Sequence, residues 1–196
     1  MNESVKQGEF PKKIRLPDGS EVELRVMTAG DRDAILQFAN GLSEADLMFL
    51  RVDLTEPKVV DEWVANLQSG LSSSILAYDA EGLIGYATVH RTPARWTRRV
   101  GEIRVNVSPQ YRTRGLGRSL ISEIFDVARG LGLRKLMANM VADQRGARTA
   151  FQRLGFVVEA LLADFVEDRA GATRDLVVMS YDIDGHSEQV DQRVRI

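Results

Sequence analysis

Two glycines and three arginines crowd one short stretch, VNVSPQYRTRGLGRSLI, residues 105–121. Arg112, Arg114 and Arg118 surround Gly115 and Gly117 where a β-branched run gives way to a leucine-spaced one. A plain turn needs one glycine and no cluster of charge. Glycines at a strand-to-helix junction let backbone N–H groups approach an anion, and a helix start carries about half a positive charge. Arginines can add charge-assisted contacts. The chemistry is that of holding a phosphate or pyrophosphate group. GLGRSL lacks the third glycine of a dinucleotide fingerprint, and the following strand, RKLMANMV, ends without an acidic residue. A Walker loop fails too, since no Lys-Ser or Lys-Thr pair follows. A tight turn with solvated arginines stays open beside the pyrophosphate reading.

Other chemistry is sparse. The chain has no cysteine, which excludes disulfides, thiolate metal sites and a cysteine nucleophile. His90 and His186 stand far apart, so no metal is assigned. A net charge of -2 gives no general attraction to nucleic acid or to an anionic membrane, and neither is expected as a partner. One loop, RTPARWTRR, sets Arg91, Arg95, Arg98 and Arg99 around Trp96; it reads as a solvated loop or as a contact for an anion. The N-terminus has no apolar signal core, and no window reaches the roughly 18 apolar residues that span a bilayer, so a cytoplasmic protein is expected.

The elements around the glycine-arginine turn follow from periodicity. KKIRLPDGSEVELRVMT reads as two strands about a turn, and TAGDRDAILQFANGLS as a helix capped by Thr28 or Asp31. EADLMFLRVDLTEP is read as a short helix and a loop stopped by Pro57. EPKVVDEWVANLQSG carries Val59, Val60, Trp63, Val64 and Leu67 near helical spacing, with Gly70 beyond its end. SSILAYDAEGLIGYATVHR is a hairpin, VGEIRVNVSP a strand, GLGRSLISEIFDVARGLG an amphipathic helix, RKLMANMV a strand and DQRGARTAFQRLGF a helix closed by Gly155. FVVEALLADFVEDRAGATRDLVVMSYDI reads as a second hairpin. The expected fold is α/β: a mixed, mostly antiparallel central sheet flanked by about four helices. One domain is expected over residues 1–184, with 1–11 a loose lead-in and 185–196 a polar tail.

VSPQYRTRGLGRSLI resembles motif A of the GNAT superfamily of N-acetyltransferases, written Arg/Gln-x-x-Gly-x-Gly/Ala. Arg112, Gly115 and Gly117 fall on its defined positions. EIRVNV sits where that family has its fourth strand, and RTAFQRLGF resembles its later helix-to-strand segment. The resemblance covers about residues 14–182. It implies a splayed opening between the family's fourth and fifth strands that takes acetyl-coenzyme A. Arg112, Thr113, Arg114, Gly115, Leu116, Gly117 and Arg118 would then hold its pyrophosphate, and the backbone of Val105 and Val107 would pair with the pantetheine arm. Asn106 either marks the bulge that opens the sheet or is an ordinary exposed strand residue. Asn139, Gln144 and Phe151 complete the positions the resemblance brings to the cofactor.

The implied activity is acetyl transfer from acetyl-coenzyme A to a primary amine, by direct attack in a ternary complex. That reaction needs a base, because a free alkylammonium with a pKa near ~10 is mostly unreactive at neutral pH. Glu102, close to a glutamate of many relatives, is the first candidate, with an ion pair to a neighbouring arginine as its plain alternative. Glu159 is the second, and could instead grip a cationic substrate. Two positions depart from the family: Phe151 stands where relatives carry a tyrosine acid, and Gln144 where they carry asparagine. The loss of an acid motivates an alternative reading, a catalytically weak acyl-coenzyme A binding or sensing module. The resemblance places acceptor selection near residues 42–55, 90–99 and 162–173. There the Trp96 loop could meet an anionic substrate or the 3′-phosphate of coenzyme A, and Asp164, Glu167 and Asp168 a cationic amine. A homodimer paired through the C-terminal strands is a further expectation.

Overall fold

In a computed structural model, residues 10–47, 50–168 and 171–185 are described. The alternating runs on either side of LPDGS pair as an antiparallel hairpin, β1 (Lys12–Arg15) with β2 (Glu21–Val26). Asp18 ties the turn, accepting from the Ser20 N–H at 3.0 Å and its hydroxyl at 2.5 Å, as aspartates in turns do. Next comes α1 (Arg32–Asn40), entered through a 3-10 turn. The Asp31 carboxylate accepts from the Thr28 N–H at 2.8 Å and its hydroxyl at 2.9 Å, so both expected capping residues take part. A single turn, α2 (Glu44–Leu47), precedes α3 (Pro57–Gln68), which starts on its proline because that position has no helical bond to lose.

The strands β3 (Ser72–Tyr78) and β4 (Leu83–Arg91) form the hairpin read from the sequence, turned at Asp79, whose carboxylate accepts from the N–H groups of Glu81 and Gly82. The remaining elements are β5 (Val100–Val107), α4 (Leu116–Gly130), β6 (Lys135–Val141), α5 (Arg145–Arg153), β7 (Val157–Glu167) and β8 (Thr173–Asp182). The strand order is β1-β2-β3-β4-β5-β6-β8-β7. β5 and β6 run parallel, while the ladders β1–β2, β2–β3, β3–β4, β6–β8 and β7–β8 are antiparallel. This is the mixed, mostly antiparallel sheet with four longer helices that the periodicities predict.

The chain divides into two compact units. One holds the chain up to Arg91 with Ile103–Leu131, the other Thr92–Glu102 with the chain from Gly132. In the first, α1 and α3 pack on one face of the β2–β4 sheet: Ile35, Phe38, Ala39, Val60 and Trp63 meet Leu76 and Tyr86 in one apolar cluster. α4 packs on β3 and β4 through Leu120, Ile124 and their buried neighbours at helical spacing. In the second unit the β5–β6 ladder has only three pairs, Val100↔Lys135 to Glu102↔Met137, although both strands continue. β6 goes on pairing with β8 as far as Val141↔Leu176. Phe151 of α5 stacks edge-on against Phe156 at 4.9 Å, and Phe156 lies 5.5 Å from Tyr181. β7 is irregular, with register shifts between Val158 and Ala160 and between Leu162 and Val166, and with Asp164 in the left-handed region at φ 50°. The polar tail from His186 onward and the first nine residues of the lead-in lie outside the described residues.

Candidate functional site

The turn that carries the arginines is built by the end of β5 and the start of α4. The Ser108 N–H donates to the Ile84 carbonyl at 2.8 Å, and a 3-10 turn over Pro109–Tyr111 reverses the chain. Thr113 (φ 65°) and Gly115 (φ 93°) are both left-handed. Gly115 is required twice over: its φ suits glycine, and a Cβ there would lie 2.9 Å from Cδ of Pro17. Because the first bond of α4 runs from the Ser119 N–H to the Gly115 carbonyl, the N–H groups of Leu116, Gly117 and Arg118 have no acceptor within the helix. Three converging donors at the positive end of a 15-residue helix make an anion cradle. Gly117 needs no special φ, and a Cβ on it would meet nothing nearer than Val107 Cγ2 at 3.7 Å. Packing therefore does not demand a glycine there, though glycine costs up to about 1 kcal/mol in a helix.

The arginines divide. Arg112 pairs with Asp46 of α2 at 2.6 Å and donates from Nε to the Val107 carbonyl at 3.2 Å. Arg114 pairs with Asp18 at 2.5 Å and lies over the Tyr111 ring at 4.8 Å. Arg118 makes no ion pair with any described residue and remains available to an anion. Tyr111 donates its hydroxyl to Asp79 at 2.7 Å. That bond, followed by burial, raises its pKa and ties it to holding the loop.

Along β5 the alternation of buried and open residues ends after Ile103: Val105, Asn106 and Val107 are all half-buried. The amide of Asn106 hydrogen-bonds the Tyr86 hydroxyl, which burial pushes up to about 12. Sequence reading misses the residue opposite. A Cβ on Gly85 of β4 would lie 2.8 Å from the Asn106 carbonyl oxygen and 3.3 Å from the Val107 Cα, so this glycine lets the two backbones close up.

The candidate bases differ in their surroundings. Glu102 is half-buried at the last rung of the β5–β6 ladder, and alternation puts it on the same face of β5 as Arg104 and Asn106. Glu159 of β7 accepts from the Ser180 hydroxyl and from Lys135 at 3.1 Å. Ser180 first and then Lys135 hold its carboxyl below its ordinary value, so it is a weak proton acceptor. Its contribution to stability is fully present above the ordinary carboxyl pKa and is lost as pH falls through the lowered folded value. Glu159→Gln is therefore expected to flatten the loss of melting temperature on acidification below about pH 4.5, as measured by thermal unfolding across pH; a slope equal to the parent's would contradict it.

The other carried-over positions spread through the second unit. Asn139 is exposed on β6, Gln144 turns its Oε1 onto the Val141 N–H at 3.1 Å, and Phe151 is buried against Phe156. Trp96 stands 97% exposed in a 3-10 turn. On the acidic hairpin, Asp168 is paired with Arg174 at 3.1 Å and Asp164 accepts from Thr173 at 2.7 Å, which leaves Glu167 as the open carboxylate of the three. His90 hydrogen-bonds Ser72 at 2.7 Å. Among the described residues no group of three ligands could hold a metal, and no helix is long and apolar enough to cross a membrane.

Residues 42–156 match the model of the acetyltransferase (GNAT) family. The chain is 33% identical over 84 residues to the L-amino acid N-acyltransferase MnaT of Escherichia coli, a match covering 43% of this chain and about half (48%) of that protein. It is 26% identical over 150 residues to the glucosamine 6-phosphate N-acetyltransferase of Trypanosoma brucei brucei, covering 72% of this chain and 92% of that one. In fold it is similar to the protein yncA of Salmonella typhimurium, solved with its cofactor acetyl-CoA, with a TM-score of 0.74 and 24% identity over 86% of this chain and 97% of that chain.

Proposed function

Because the chain belongs to the GNAT family of acetyltransferases, we propose that it moves the acetyl group of acetyl-coenzyme A to the primary amine of a small acceptor by direct attack in a ternary complex. The observation that carries this reading is the start of α4, where Leu116, Gly117 and Arg118 offer N–H groups to an anion and Gly117 has no packing reason to be glycine. The pyrophosphate of the donor sits on those groups with Arg118 beside it. The half-buried backbone of residues 105–107 takes the pantetheine arm in the manner of an added strand. Glu102 takes one proton from the acceptor ammonium, the resulting amine bonds to the thioester carbonyl carbon, the C–S bond breaks to release a thiolate, and the second nitrogen proton passes to solvent as the neutral amide forms. Phenylalanine at position 151 cannot protonate that thiolate. With a pKa not far above ~8.5 it leaves without help.

Both relatives compared above are named for acceptors that pair an amine with an anion, an L-amino acid in one and glucosamine 6-phosphate in the other. The same class, a small amine bearing a carboxylate or phosphate, is the acceptor proposed here. Phe151 favours a second reading, a module that binds acyl-coenzyme A without turning it over. Acetyl-coenzyme A at 100 times Kd is expected to add about 2.7 kcal/mol of stability, read as a rise in melting temperature. No rise with any acyl-coenzyme A would remove both readings. Thiol release on a panel of amino acids and amino sugars then separates them, since binding with silence across the panel leaves the sensor.

A further inference from the structure

We propose that the β1–β2 turn is a working part of the donor site: Asp18 is a positioning residue that holds Arg114, and through it the left-handed turn that aims the N–H groups of α4. This rests on the donor-site reading above and sharpens it, because it makes Arg114 a strut and not a phosphate ligand. The family model begins at residue 42, so the turn lies outside the matched segment.

Asp18 is not a loose surface carboxylate that happens to meet an arginine. Ser20 fixes it through two hydrogen bonds, and from that position it holds Nε of Arg114 at 2.5 Å. The neighbouring Pro17 touches the loop at its tightest point, 2.9 Å from where a Cβ on Gly115 would stand. A second tie, Lys12 to Glu123 at 2.5 Å, joins the same hairpin to α4 one helical stretch further on. On its other side the loop is braced by Tyr111, whose ring lies under the Arg114 guanidinium and whose hydroxyl is held by Asp79. Left-handed φ at a residue other than glycine, as at Thr113, persists only where the surroundings impose it. Asp18 and Pro17 hold Arg114 and Gly115, which follow Thr113 in the chain, and Asp79 holds Tyr111, which precedes it.

The two roles for Arg114 predict opposite signs. If Arg114 binds phosphate, removing its carboxylate partner frees it and lowers KM for acetyl-coenzyme A. If it is a strut, the same change loosens the cradle and raises KM. Asp18→Asn is the appropriate variant, since asparagine keeps the turn hydrogen bonds and removes only the charge. The full chain is assayed for KM, kcat and acetyl-coenzyme A affinity by calorimetry, with melting temperature as the check on folding. Asp18→Asn and Arg114→Gln are each expected to raise KM by about 1.5-fold to fivefold, the range of an exposed ion pair, with kcat unchanged. The double variant should be no worse than either single one, Arg118→Gln should add to both, and Asp18→Glu should recover part of the affinity. A fall or no change in KM for Asp18→Asn, or additive effects at positions 18 and 114, overturns the proposal. Failure of the unsubstituted protein to bind acetyl-coenzyme A would instead remove the donor site on which it rests.

Discussion

Replacing Glu102 with glutamine is expected to lower kcat at neutral pH by about 10²–10⁴-fold while acetyl-coenzyme A binding stays intact. Glutamine keeps the shape of the side chain and cannot accept a proton. At pH 7 most of an acceptor amine is protonated, so a variant without its base must wait for the neutral form. Its rate should therefore climb about tenfold per pH unit until the acceptor's own pKa is reached. Glu159, the other candidate base, is poorly placed for the task, because Ser180 and Lys135 hold it ionised. A kcat for Glu102→Gln equal to the parent's at pH 7, or a pH profile no steeper than the parent's, would assign the proton to another group.

What the sequence discloses is what period and local turn chemistry encode. The cap at Thr28 and Asp31, the proline start of α3, the two hairpins and the amphipathic α4 each follow from residues a few positions apart. The motif Arg112-x-x-Gly115-x-Gly117 marks the strand-to-helix turn for the same reason. The charge around it is a different matter. Local composition gives three arginines, but the carboxylates that claim two of them, Asp46 and Asp18, come from α2 and the β1–β2 turn, far away in the chain. No periodicity links such partners; only the folded topology does. The three-rung length of the β5–β6 ladder is equally silent, because Ile103 to Val107 alternates as any strand would. Gly85 did leave a signal, an isolated glycine inside the apolar run LIGYATVHR, which marks a close backbone approach.

That glycine carries the second large effect. Gly85→Ala is expected to destabilise the protein by about 1–3 kcal/mol, the usual result of overfilling a packed interior, and to raise KM for acetyl-coenzyme A by about tenfold or more, a further ~1.4 kcal/mol lost at the donor strand. The atoms an added methyl would strike are the Asn106 carbonyl oxygen at 2.8 Å and the Val107 Cα at 3.3 Å. Both are backbone, so no rotamer change can relieve the clash, and Leu120 Cδ1 at 3.4 Å closes the remaining space. The end of β5 must move. It cannot do so alone: the Ser108 N–H is bonded to Ile84, the Val107 carbonyl accepts from Arg112, and Val107 Cγ2 lies 3.7 Å from where a Cβ on Gly117 would stand. A shift of residues 105–107 is thus passed to the start of α4 and to the edge of β5, the two parts of the proposed donor site, together. For a chain of this length each kcal/mol lowers the melting temperature by about 2–4 °C, which a thermal scan resolves. Gly117→Ala is the matched control, since its methyl meets nothing closer than 3.7 Å and should leave the melting temperature unchanged or raised. A Gly85→Ala protein with the parent's melting temperature and the parent's KM would show that β4 and β5 have room the geometry denies them, and that the donor strand is not set by Gly85.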